Sequence, residues 1–352
     1  MKKTAKVIAF MTAAAMVLST AACASGTGKP ASQAADTTAL ETGTTTAEVA
    51  SQKAEGGDAQ AAAGGYTYKI GVLQLVQHTA LDAANEGFIA ALNDAGIKYE
   101  VDQQNASGDQ STCVTVASKF ANDKKDLILA IATPAAQAVA GAVSDTPILV
   151  TAVTDPAESG LVDTNEKPGG NVTGTSDLTP VKEQIALLQK ILPDAKNIGI
   201  LYCSAESNSE IQASAAREAI EAAGMSSKDF TVSSSNEIQT VVQAMAGKVD
   251  AIYAPTDNTI AAGMSTVSMV ANKNNLPVIC GEAGMVENGG LATYGIDYYQ
   301  LGYMTGQQAV KILTEGASPA DMPIQYLPAE KCKLTVNDET AAALGIDVSG
   351  LK

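Results

Sequence analysis

The sequence predicts two similar α/β lobes, each a doubly wound parallel sheet, facing each other across a hinged cleft. Three observations point there. Near-continuous apolar runs of strand length recur, helical segments alternate with them, and the pattern returns at Ile198, 128 residues after Ile70. Apolar runs without polar alternation read as strands buried on both faces, which requires helices on both sides of the sheet.

The first half opens on the strand Ile70-Gly71-Val72-Leu73. An amphipathic segment over Asn85–Asn93 follows, and Gly96, 26 residues after Ile70, is placed to stop that helix. The second half opens on Ile198-Gly199-Ile200-Leu201, runs through a helical segment at Ser214–Ala222, and meets Gly224 after the same 26 residues. Next comes a strand from Asp126 ending in Thr133-Pro134, an alanine-rich helix, and a strand from Pro147 to Thr151. Its partner is a strand from Asp250 to Pro255, a helix through Ala271, and a strand from Pro277 to Gly281. Spacing, turn type and order agree together, which sets a true repeat apart from loose self-similarity. Ligands of open parallel sheets bind at the C-terminal strand ends, so two lobes bring two such edges over one cleft, closed by hinge motion. Two stretches read as hinge segments. Gly169–Pro180 leads into a helix from Val181 to Leu192, and Thr293–Tyr299 leads into one from Gln300 to Leu313.

Ahead of the lobes, Lys2, Lys3 and Lys6 precede the short apolar stretch Val7–Leu18, a secretory signal too short to span a membrane. Small residues then lead to Cys23, in the manner of a bacterial lipobox, with Thr20 where such motifs usually carry leucine. Cys23 is therefore the expected lipidation site, residues 1–22 the cleaved signal and 23–65 a lipidated flexible tether. Residues 24–65 hold only Leu40 and Val49 as larger apolar groups, too little to offset the entropy of ordering. A coil of that length spans about 35 Å.

Charge and motif inventory exclude several classes. Loss of the three lysines with the signal takes the formal charge from −16 to −19, the wrong sign for nucleic acid. Cys113, Cys203, Cys280 and Cys332 have no CxxC spacing, so no metal site is expected and no pairing is assigned. One histidine, His78, and the absence of HExxH, GxSxG, Walker and GxGxxG patterns leave no catalytic constellation and no cofactor. A binder is expected, not an enzyme.

The strand ends are more informative. Thr133-Pro134-Ala135-Ala136 starts a helix and offers free backbone N–H groups to a carboxylate. Thr154-Asp155 ends the next strand; Thr256-Asp257-Asn258 and Glu282 hold the corresponding places in the second lobe. Asp297 stands at a crossover and suits both an N-cap and a cleft carboxylate. Helix capping alone accounts for Asp, Thr and Asn at such turns; the set gains weight because both lobes present it at the same edge. Tyr294, Tyr298 and Tyr299 fit core packing better than ligand stacking.

Ala130–Gln137, Thr151–Pro156, Lys167–Gly174, Ser176–Gln184, Val249–Asn258 and Ala292–Tyr299 resemble, in order, the tryptophan/tyrosine-type family of ABC-transporter substrate-binding proteins. The resemblance covers residues 68 to 347 or so. It implies a type I periplasmic-binding-protein-like fold with a three-segment hinge, one lobe over 66–175 plus 297–325 and the other over 176–296 plus 326–352. It further implies an extracytoplasmic, lipid-anchored monomer that hands a small solute, foremost an aromatic amino acid, to an ABC permease. Cleft loops carried over are Gln77 and His78, Thr133 to Ala136, Thr154-Asp155, Ser176-Asp177, Ser204, Glu206, Asn208, Thr256 to Asn258, Glu282 and Asp297. By amino-acid chemistry Asp297 or Asp155 would take the ammonium, and Thr133 with the N–H groups near Ala135 the carboxylate. Another small polar solute, or presentation of the solute to a membrane sensor, stays open.

Overall fold

Leu127–Ile131, five consecutive residues with no exposed surface, shows what the apolar runs do: a strand covered on both faces has no polar side to show. In this computed structural model, which describes residues 66–351, twelve strands and eleven α-helices carry the fold. The signal, Cys23 and the tether lie outside the described residues.

In chain order the strands are β1 (Tyr68–Gln74), β2 (Tyr99–Asn105), β3 (Leu127–Ile131), β4 (Ile148–Val153), β5 (Val172–Ser176), β6 (Asn197–Cys203), β7 (Ser226–Val232), β8 (Ala251–Ala254), β9 (Val278–Cys280), β10 (Ala292–Gly295), β11 (Gln325–Tyr326) and β12 (Lys333–Val336). The helices are α1 (Thr79–Asp94), α2 (Gln110–Asp123), α3 (Thr133–Ala142), α4 (Val181–Ile191), α5 (Ser207–Ala222), α6 (Ile238–Met245), α7 (Asn258–Ala262), α8 (Met264–Lys273), α9 (Ala283–Glu287), α10 (Tyr298–Val310) and α11 (Asp338–Leu344).

They form two six-stranded sheets, β11-β5-β4-β3-β1-β2 and β12-β10-β9-β8-β6-β7. The same order appears in both halves, and all pairings are parallel except β10 with β12. The repeat extends to the helix stops. Gly96 and Gly224 sit at φ +66° and +76°, where a side chain would be strained. The next residue closes each motif: Ile97 N–H donates to Leu92 O at 3.2 Å, and Met225 N–H to Ile220 O at 3.0 Å.

The chain passes between sheets three times, after β5, after β10 and between β11 and β12. Each of the first two crossings hands a helix to the other sheet: α4 packs on β9, β10 and α5, whereas α10 packs on α1, β4 and β5. One apolar core fills the first lobe and takes in Leu301, Ala309 and Ile312 from the returning segment. Two cores cover opposite faces of the second sheet. The helix expected through Ala271 is broken at Gly263 into α7 and α8. A Cβ there would meet Ile238 Cδ1 at 2.3 Å, so the break lets α6 approach.

Candidate functional site

The C-terminal strand ends of both sheets converge on one small cavity. From the first lobe come His78 and Leu81 after β1, and Ala152 and Thr154 around the end of β4. Asp177 follows β5 and Tyr298 opens α10, one at each of the first two crossings. The second lobe gives Asn208 from the first turn of α5, Thr256, Asp257, Asn258 and Ala261 after β8, and Glu282 after β9. The free volume is about 10 Å³, room for about one water, so an amino-acid-sized solute fits only if the lobes part. Beyond Asn258 a wider chamber of about 430 Å³, walled in part by Leu75, Val76, Pro134 and Ala205, opens between the same lobes.

Local backbone features aim these groups. The register of β4 on β5 slips between Val150 and Val153, and Ala152 at the slip has φ +55°. A left-handed alanine in a strand is a strained conformation of the kind found at functional sites. On the other wall, Asp257 caps α7 by accepting from Ile260 N–H at 2.8 Å, and its second oxygen accepts from Cys203 N–H at 2.5 Å. Glu206 accepts from Asn258 Nδ2 at 2.5 Å, and from Thr259 N–H at 3.0 Å and Oγ1–H at 2.8 Å. Glu282 caps α9 through Gly284 and Met285. Helix N-termini thus satisfy the acids of this wall.

Asp177 differs. Its Oδ2 accepts from the Tyr298 hydroxyl at 2.8 Å, while Oδ1 is buried and has no hydrogen-bond partner. Asn208 Oδ1 is likewise buried and unpartnered. Burial pushes the Asp177 carboxyl up to about 6 and Glu282 up to about 7; burial and then the charge of Glu206 push Asp257 to about 7. Burial lowers His78, whose Nε2 faces Asn258 Oδ1 across the cleft at 3.4 Å. Three carboxyls and one imidazole line the cavity, and no lysine or arginine does. Such a site favours a cation.

Of the residues singled out from the sequence, His78, Thr154, Asp177, Asn208, Thr256, Asp257, Asn258 and Glu282 line the cavity together. Glu206 stands behind them as the buttress of Asn258, and Ser176 pins the first crossing by donating to Thr154 O at 2.6 Å. Gln77 and Ser204 are exposed, and Pro134 faces the outer chamber. Thr133, Ala135 and Ala136 are buried at the start of α3 outside this lining, with Thr133 Oγ1 unpartnered.

Asp155 and Asp297, the residues favoured for an ammonium, also lie outside it. Asp155 Oδ1 accepts from Ala157 N–H, Glu158 N–H and Asn165 Nδ2 at 3.0, 3.0 and 2.9 Å, which ties down its own turn. Asp297 caps α10 at Gln300 N–H, 3.1 Å away, and stands 3.6 Å from Lys333 in a groove on the hinge side. Sequence reasoning missed Leu81, Ala152 and Ala261, and it read Tyr298 as core. Tyr298 is buried in the first-lobe core and lines the cavity as well. Among the described residues, all four cysteines are free thiols and no cluster of metal-ligating side chains occurs.

A family model described as ABC transporter substrate binding protein matches residues 69–350. The chain belongs to that family. A tyrosine-binding protein of Clostridioides difficile is 44% identical over 279 residues, 78% of this chain and 80% of that one. Among solved structures, an ABC domain from Streptococcus pneumonia in complex with L-Trp aligns with TM-score 0.78 at 41% identity, over 80% of this chain and 96% of its own. A ligand-free, open substrate binding protein with adhesive properties from Clostridium difficile aligns over the same shares at 46% identity, yet with TM-score 0.61.

Proposed function

We propose that this substrate-binding protein captures an aromatic amino acid in the interlobe cleft, outside the cytoplasm, and delivers it to an ABC permease. It acts as a lipid-tethered monomer through Cys23, as a carrier without catalytic activity. The observation that carries the amino-acid reading is the pair of buried, unpartnered acceptors, Asp177 Oδ1 and Asn208 Oδ1, in a cavity lacking lysine and arginine. Unpaired buried acceptors are costly, and an ammonium supplies the missing donors with charge assistance at Asp177. Asp177 therefore takes the role first given to Asp155 or Asp297. Tyr298, Leu81 and Ala261 provide apolar surface beside it. The aromatic choice is supported by the tyrosine-binding relative and the L-Trp complex.

The test is a thermal melt with single amino acids, nucleosides and sugars. Ligand at a hundredfold its Kd stabilises by about 2.7 kcal/mol, a plainly visible shift. L-tyrosine or L-tryptophan should give it. A shift from a nucleoside or sugar alone sinks the reading. In the Asp177→Asn variant, amino-acid affinity should fall about a hundredfold, the scale of a buried charge-assisted bond, while the ligand-free melt stays near wild type or rises.

A further inference from the structure

Gln212 was not among the expected site residues, yet its amide connects three pieces of the molecule: both lobes and the first crossing. It sits on α5 with no exposed surface, on the helix face that buries Asn208, Ser209, Ala213 and Ala216. Its Nε2 donates to Thr154 Oγ1 in the opposite lobe at 3.0 Å, and to Thr256 in its own lobe, at Oγ1 and at the carbonyl, the latter at 3.2 Å. Its Oε1 accepts from Thr179 on the first crossing at 3.3 Å and from Thr256 N–H at 3.4 Å.

Proton accounting gives these contacts a direction. A carboxamide has two N–H protons, one of them shared here between the hydroxyl and the carbonyl of Thr256, and a hydroxyl that accepts from such a proton still has its own to give. Both hydroxyls that accept from Gln212 belong to cavity-lining residues. An amino acid brings a carboxylate as well as an ammonium. With no lysine or arginine in the lining, hydroxyl and amide protons must receive it.

We propose that Gln212 is a positioning residue for solute capture: by donating to one hydroxyl of each lobe, it turns Thr154 and Thr256 into donors toward the cavity. The polarity depends on closure, because Thr154 leaves the amide when the lobes separate and Thr256, in the same lobe as α5, does not. This role rests on the amino-acid reading above and adds to it where the carboxylate is received.

The experiment compares L-tyrosine with tyramine, which lacks the carboxylate, on the wild-type chain and on Gln212→Glu. A glutamate carboxylate accepts from both threonine hydroxyls and reverses them. Expected is a dissociation rate for L-tyrosine about tenfold faster, a near-unchanged association rate, and a tyramine affinity within about twofold of wild type. Equal losses for the two solutes, or no loss for either, overturn the positioning role. If Gln212→Glu does not fold, Thr154→Val tests the same polarity from the first lobe, and the same split between the solutes is required. The outcomes separate the two readings. A wild-type protein that binds neither L-tyrosine nor L-tryptophan fails at the amino-acid reading itself and takes this role with it. Wild-type binding with an unsplit variant response fails here alone.

Discussion

The two lobes share strand order, helix stops and the edge they present, yet their walls solve opposite problems. The first-lobe wall is neutral and small: His78, Leu81, Ala152 and Thr154, with the backbone held at φ +55° at Ala152. The second-lobe wall carries Asp257 and Glu282, with Glu206 behind, each bonded to the start of a helix. One wall stores its cost in backbone conformation, the other in buried charge. The repeat preserved the frame and let the chemistry diverge. Among the described residues, the single acid with a free buried oxygen belongs to neither wall but to the crossing between them, at Asp177.

The largest effect that would break this contrast is expected at Gly174, opposite the β4 slip. Its φ is +147°, and a Cβ would meet Val150 O at 2.0 Å. Gly174→Ala should cost about 3 kcal/mol by chemical denaturation. Gly295→Ala in the second lobe, where the nearest atom is at 3.2 Å, should cost less than about 1 kcal/mol. Similar losses at both positions would mean that the first lobe stores no special backbone constraint.

Acidification addresses the charged wall. Folded values of about 6 for Asp177 and about 7 for Asp257 and Glu282 lie above the ordinary 3.8 and 4.5. The folded state therefore holds more protons, so stability falls as pH rises through 6 to 7 and is fully present below about 4. The ligand-free melt should be higher at pH 5 than at pH 8, and the Asp257→Asn, Glu282→Gln double variant should flatten that difference. Asp102 on β2 acts in the opposite sense. Burial raises it, but hydrogen bonds from Lys119, Lys125 and Gln104 outweigh that and hold it well below the ordinary range. Its contribution is lost only under more acidic conditions. A melt that drops between pH 8 and pH 5 would show that the second-lobe acids are not buried as described.

A smaller effect is expected at Thr133, whose hydroxyl is buried without a partner. Thr133→Val should stabilise the ligand-free protein by about 1 kcal/mol. If amino-acid affinity falls as well, the α3 start joins the site. The smallest effect belongs to Ala152→Gly, which should relieve its left-handed conformation and raise stability by about 1 kcal/mol or less. A loss there would show that the alanine methyl in the cavity matters more than its backbone.

Most of the frame was legible because its signals are local. Leu127–Ile131 cannot be a half-exposed strand, and Gly96 and Gly224 mark helix ends at equal spacing. The edge strands β2, YEVDQQN, and β7, SSKDFTV, carry no apolar run and gave no such signal. Within the site, Asp257, Glu282 and Asp297 are legible as caps from their turn positions. Which acid keeps a free oxygen is not, because that depends on partners distant in sequence: Lys333 for Asp297, Tyr298 for Asp177. Alanine at positive φ, as at Ala152, leaves no trace in composition. Gln212 did leave one. It falls on the buried face of α5 in step with Ala213 and Ala216, and a polar side chain on an otherwise small, buried stripe calls for a partner.

The exchange of helices between lobes sets the order of events during synthesis. α10 lies against α1 so closely that a Cβ at Gly302 would strike Ala84 O at 1.8 Å, and one at Gly87 would strike Tyr299 O at 2.0 Å. The first half of the chain therefore presents an uncovered α1 face until residues beyond Tyr298 have emerged, and contacts of such sequence separation form late. The packing of the first lobe is completed only when the C-terminal segment returns to it.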